Sequence, residues 1–379
     1  MLQTTLLACL AALCNGQFVI PLPALTGPSQ VGTITLELVD NTRLDPLSPT
    51  PQARDLMISV FYPIQHTRRY TLSPAYDPLY AEFLTTSLGV PPGIFSSVIS
   101  QSYAGAYLHP PDANPGQPNI LLYSPGYGGS REEYTATLEN LASYNYIVVG
   151  IDHPYDTGFI AYPNNRTVTP IGDPIGDSPD VPATSANLTQ YRAADFISVI
   201  NALGKNATFA KQIPGVHGKL DVSKVGVLGH SLGGASAATA MALDSRFACG
   251  SNLDGAFWGN LTQISKAVTK PFLLVEANGH NRTSDASFAA FLDANPKGKY
   301  VLDVKNAKHA TFTDLAYLSD VAKAAGIPVP EQDFGTIGGE RMLVLLAKYL
   351  DVYFRKCLGG GDIKKGLEGV TGFPEVTLS

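Results

Sequence analysis

The chain has 379 residues, 45% hydrophobic and 15% charged, with 18 Tyr and 16 Phe; against about 25% charged residues in an ordinary soluble protein, this excludes disorder and allows a large core. The net charge is −6, from 26 Lys and Arg against 32 Asp and Glu. No basic run is present, so nucleic acid and anionic membrane surfaces are excluded as expected partners.

Residues 1–16 (MLQTTLLACLAALCNG) carry a short apolar run closed by small residues. That is the pattern of a secretory signal peptide cleaved after Gly16. The run is shorter than the roughly 20 residues of a spanning helix, so no stable membrane insertion is expected. Cleavage removes Cys9 and Cys14 and leaves Cys249 and Cys357, an even pair that predicts one disulfide in an oxidising compartment. Sequons at Asn165, Asn187, Asn206, Asn260 and Asn281 agree with export and are candidate glycosylation sites. The expected product is a secreted monomer.

Residues 17–379 read as one α/β domain. Strands are predicted over 33–39 and 57–62, and 63–118 reads as an irregular, cap-like segment with one or two short helices. A regular alternation follows: strand 119–123 (NILLY), helix 132–144, strand 146–151, a long loop 153–183, helix 187–203 and strand 225–228 (VGVL). A small-residue helix over 232–243 comes next, then strands 248–253, 271–276 and 299–304 and a helix over 341–358. Such alternation predicts a mostly parallel sheet with helices on both faces. The last helix is apolar most of the way round and lacks a basic face, so it belongs in the core rather than on a membrane surface.

Gly229-His230-Ser231-Leu232-Gly233 is a G-x-S-x-G motif between an apolar strand and a helix. That setting is a nucleophile elbow, a sharp turn that presents the serine hydroxyl. The hydroxyl needs a base, and in this arrangement an acid and then a histidine follow the serine. Of seven His, only His280 and His309 follow at a distance. His309, after the last strand of the series, is favoured; His280 reads as a surface loop residue beside the sequon at Asn281. Asp254, in the apolar stretch LDGAFW, is favoured as the acid over Asp285 in a polar stretch. The oxyanion donors are expected at the N–H of Leu232, after the nucleophile, and of Tyr127 in the loop Ser124-Pro125-Gly126-Tyr127-Gly128-Gly129. No metal-ligand spacing, Walker loop or dinucleotide fingerprint occurs in the sequence, and neither metal nor cofactor is expected.

SPGYGG, IDHPYD, GHSLGG, LDGAFW and AKHATFTD, in that order, resemble the secreted platelet-activating-factor acetylhydrolase family, the group VII phospholipase A2 type, in its fungal form. The resemblance spans roughly residues 119–314 and implies an α/β-hydrolase fold with Ser231, Asp254 and His309 as a triad. It implies hydrolysis of short acyl esters of phospholipids, with a small-molecule or lipid ester as the partner. Pro125 and Leu232 depart from the animal members, which carry a His and an aromatic there. A general carboxylesterase or polyester hydrolase is the nearest alternative, and an inactive lipid-binding protein the alternative of a different class.

Overall fold

The computed structural model describes residues 19–109, 116–294, 296–327 and 334–379. The leader read over 1–16, with Cys9 and Cys14, lies outside the described residues.

Among the described residues the central sheet has twelve strands. Eight form its frame: β1 Gln30–Leu44, β2 Ala53–Ile64, β3 Asn119–Ser124, β4 Tyr146–Asp152, β5 Val225–His230, β6 Phe247–Leu253, β7 Phe272–Ala277 and β8 Lys299–Val304. Their spatial order is β1-β2-β4-β3-β5-β6-β7-β8. The pairs β1–β2 and β2–β4 are antiparallel, and every neighbouring pair from β4 to β8 is parallel. Strands β4, β5 and β7 are buried at every position. This explains why they read as unbroken apolar runs: a parallel sheet covered on both faces has no polar side.

The main helices are α1 Pro78–Leu88, α2 Thr135–Ala142, α3 Val181–Lys205, α4 Leu232–Leu243, α5 Ala286–Ala294, α6 Asp314–Ala324 and α7 Gly339–Gly359. One core packs Phe196, Val199 and Ile200 of α3 and the alanines of α4 against the sheet. The other packs Leu138 and Leu141 of α2 with Leu346, Leu350 and Tyr353 of α7. Helix α7 is therefore a core helix, as its apolar girth requires. The Tyr353 hydroxyl donates to the Gly250 carbonyl at 2.9 Å, and a Cys249–Cys357 disulfide ties α7 to β6 with the Cα atoms 6.5 Å apart. Helix α3 starts before the predicted 187, because the Asp180 side chain accepts from the Ala183 N–H and caps it.

The described part of segment 63–118 is more ordered than its composition suggests. Within it Val98–Ala104 pairs in parallel with β1, and Leu72–Pro74 pairs antiparallel with Val98–Ala104. Ile20–Pro21 closes this edge, and Val376–Leu378 lies antiparallel to β8 at the other. The inward positions of Val98–Ala104 include Ser100 and Ser102, so its alternation carries no hydropathy signal. No helix among the described residues is long and apolar enough to cross a membrane.

Candidate active site

Ser231 stands between the last residue of β5 and the first of α4, with φ 53° and ψ −124°. A non-glycine residue at positive φ is strained and persists only where its surroundings hold it. The Ser231 N–H donates to the Leu253 carbonyl at 2.9 Å, and the Ser231 carbonyl accepts from the Gly234 N–H at 2.9 Å. A Cβ at Gly229 would come within 2.5 Å of the Ser124 carbonyl oxygen, and one at Gly233 within 2.1 Å of it. The glycines of the motif are thus required by the packing of the turn against β3.

His309 opens a short turn after β8, and Asp254 follows β6. The Ser231 hydroxyl lies 3.0 Å from His309 Nε2, and His309 Nδ1 lies 2.7 Å from Asp254 Oδ2. Asp254 is 1% exposed and His309 52%, so the carboxylate is enclosed while the imidazole faces the open side. With Asp254 as acceptor, Nδ1 carries the proton and Nε2 is left to take one from Ser231. The structure therefore brings Ser231, Asp254 and His309 together.

His280 and Asp285 are not the bystanders that the sequence suggests. His280 Nδ1 lies 2.9 Å from Asp254 Oδ1, and its Nε2 lies 3.0 Å from Asp285 Oδ2. Hydrogen bonding to Asp254 raises the His280 pKa to about 9 against the opposing effect of burial. Burial pushes Asp254 up, but the bonds from His280, His309 and the Ala277 N–H outweigh it and hold the carboxyl below its ordinary range. Ligand atoms of Asp254, His280 and His309 lie within 4.8 Å of one another. Both imidazoles already turn Nδ1–H toward Asp254, so the arrangement is a hydrogen-bonded row rather than a ligand set for a metal.

The loop at 124–129 lies beside Ser231: a Cβ on Gly126 would sit 3.5 Å from Ser231 Cβ. The Gly126 carbonyl accepts from Arg192 Nη2 at 3.2 Å and from the Gly129 N–H at 3.2 Å. The peptide that follows is trans, so the Tyr127 N–H points the opposite way from that carbonyl. Among the described residues neither the Tyr127 nor the Leu232 N–H has an acceptor. A pocket lined by Tyr127, Glu133, His230, Ser231, His309 and Leu315 opens here.

Two buried sets that sequence reasoning missed hold this loop. The Gly126 N–H donates to the Tyr134 hydroxyl at 3.1 Å, Tyr134 lies 2.9 Å from His230 Nδ1, and His230 Nε2 lies 3.0 Å from the His309 carbonyl. Burial, helped by the nearby His309, lowers the His230 pKa to about 3 and keeps it neutral. Its proton is therefore on Nε2, donated to His309. The second set is another Ser-His-Asp row, wholly enclosed. Ser124 Oγ is 2.8 Å from His153 Nε2, and His153 Nδ1 is 2.8 Å from Asp195 Oδ2. Arg192 joins it, donating to Ser124 Oγ at 3.2 Å and to the Pro125 carbonyl at 2.5 Å while pairing with both oxygens of Asp156 at 2.6 Å. With no solvent path to Ser124, this row is a scaffold. Its signal in the sequence is a pair of charges, Arg192 and Asp195, inside an apolar helical stripe.

The family model described as "Platelet-activating factor acetylhydrolase, isoform II" matches residues 16–170 and 198–324. A probable 1-alkyl-2-acetylglycerophosphocholine esterase of Arthroderma benhamiae is 28% identical over 376 residues, covering 93% of this chain and 92% of that protein. A platelet-activating factor acetylhydrolase of Gallus gallus is 24% identical over 260 residues, 58% of this chain and 59% of its own. Among solved structures, a ferulic acid esterase from Streptomyces cinnamoneus superposes with a TM-score of 0.78 at 27% identity, over 96% of this chain and 99% of that one. The fold is the α/β-hydrolase fold.

Proposed function

The chain belongs to the platelet-activating factor acetylhydrolase, isoform II family of ester hydrolases, and on that premise we propose that it is a secreted serine esterase. Its substrates are short-chain carboxylic esters, the sn-2 acetyl group of platelet-activating-factor-like phospholipids first among them. The observation that carries the mechanism is the continuous row from Ser231 Oγ through His309 to Asp254, at 3.0 and 2.7 Å. His309 takes the Ser231 proton as the oxygen attacks the ester carbonyl. The N–H groups of Tyr127 and Leu232 receive the oxyanion. His309 then protonates the leaving alcohol, and a water activated by the same imidazole releases the acid. Secretion is supported by the disulfide and by the exposure of Asn165, Asn187, Asn206 and Asn260; Asn281 is half-buried.

The likeness to a ferulic acid esterase over nearly the whole chain favours a second reading, a general carboxylesterase. Two measurements decide. A fluorophosphonate probe is expected to label Ser231 in the wild type and nothing in Ser231→Ala, whose ester hydrolysis falls by about three orders of magnitude or more. A panel of acyl lengths and headgroups is expected to favour acetyl phospholipids; equal or better turnover of aryl and cinnamoyl esters selects the second reading. An unlabelled Ser231 overturns both.

A further inference from the structure

We propose that His280 and Asp285 are positioning residues that hold the Asp254 carboxylate so that one oxygen is left for His309; the proposal rests on the serine-esterase reading above. The argument is first one of geometry. Both ring nitrogens of His280 face carboxylate oxygens, Asp254 Oδ1 at 2.9 Å and Asp285 Oδ2 at 3.0 Å. A neutral imidazole has one N–H and one lone pair, so in either tautomer a lone pair would be turned on a carboxylate. Only the imidazolium satisfies both contacts. The raised pKa of His280 points the same way.

The site is thus a five-member row: Asp285, His280, Asp254, His309, Ser231. His280 packs its ring on Phe288, with centroids 4.7 Å apart. The other charged groups in reach are Glu276 on β7, which acts on Asp254 and His280, and Asp303 on β8 and Arg282 on the following loop, which act on Glu276. On the far side His309 meets Ser231 and the neutral ring of His230, whose centroid is 4.5 Å away.

Oδ1 of Asp254 is taken by His280 and by the Ala277 N–H at 2.7 Å, which leaves Oδ2 alone for His309 and fixes the carboxylate plane. Asp285 in turn fixes the His280 ring from its other nitrogen.

The test is kcat and KM for p-nitrophenyl acetate, measured on wild type and His280→Gln. In the variant kcat is expected to fall about tenfold, with KM changed less than about twofold. In parallel, protein labelled with 15N-histidine is titrated by NMR. One ring is expected to keep both protons to a midpoint of about 9; it is absent in His280→Gln, and its midpoint falls in Asp285→Asn. A kcat equal to wild type, a KM that rises as much as kcat falls, or a His280 ring neutral at pH 7 each overturns the proposal. If His280→Gln does not fold, the wild-type titration alone decides. The fluorophosphonate probe separates the two levels: wild type labelled at Ser231 with kcat unchanged in His280→Gln defeats only this inference, and an unlabelled wild type defeats the esterase reading beneath it.

Discussion

The Tyr134 hydroxyl touches His230 Nδ1 at 2.9 Å and accepts from the Gly126 N–H at 3.1 Å, so one phenol couples the loop at 124–129 to the residue before Ser231. His230 extends the link to the His309 backbone. Three segments far apart in sequence are thereby held by one chain of donors and acceptors, each of which has a single fitting partner.

Tyr134→Phe removes the middle of that chain. It leaves a buried N–H on Gly126 and a buried acceptor on His230. Each such orphan costs about 1–3 kcal/mol. Urea unfolding is expected to show a loss in that range, and kcat/KM to fall about tenfold as the loop loosens. Full activity with full stability would mean that the contact has no role.

Arg192→Lys keeps the charge and loses the fork. Arg192 is fully buried, pairs with both oxygens of Asp156 and donates to the Pro125 and Gly126 carbonyls. Lysine presents a point charge that cannot reproduce this planar pattern. A buried pair broken on one side typically costs about 3–5 kcal/mol. A denaturation midpoint equal to wild type contradicts the scaffold role given to this set.

The disulfide closes a separation of 108 residues. Reduction is expected to cost about 4–5 kcal/mol on the chain-entropy model. Two thiols titrating in the mature, denatured, unreduced protein would show that the bond does not form.

Glu139 gives a pH dependence of defined sign. It is fully buried; Oε2 accepts from the Gln101 N–H at 2.8 Å and from Ser102 Oγ at 2.7 Å, and burial raises its pKa to about 8. The folded value lies above the ordinary carboxyl value of 4.5. Its contribution is therefore full below pH 4.5 and declines as pH rises toward about 8, where the folded carboxyl ionises. Glu139→Gln cannot ionise. Its urea midpoint relative to wild type is expected to be higher at pH 8 than at pH 5, and an equal difference at both pH values counts against a neutral Glu139. Burial raises Asp314 in the same sense, so some slope remains in the variant.

Strands β3, β4, β5 and β7 are legible because both faces of each are covered, and burial on both sides selects long apolar runs. Val98–Ala104 is not legible because serines occupy its inward positions and bond to polar partners such as Glu139. Ser231 is found from its glycines, since the turn leaves no room for a Cβ at 229 or 233. Asp254 and His309 follow from chain order and an apolar setting. His280 cannot be found that way. Its neighbours Asn278, Gly279, Asn281 and Arg282 read as an exposed turn, and only the fold of that turn back over the end of β6 brings its ring to Asp254.

Strand β8 would be the bare margin of the sheet but for Val376–Leu378, which pairs with Leu302, Asp303 and Val304. Backbone bonds between Val301 and Ser379, at 3.0 and 2.9 Å, extend the match. An uncovered strand offers a row of N–H and C=O groups to any other chain. These residues leave only a three-residue strand at this margin, and so short an edge blunts such pairing. Trimming them leaves the row from Ser231 to Asp285 untouched, so the first sign of damage there is clumping of a still active enzyme rather than loss of turnover.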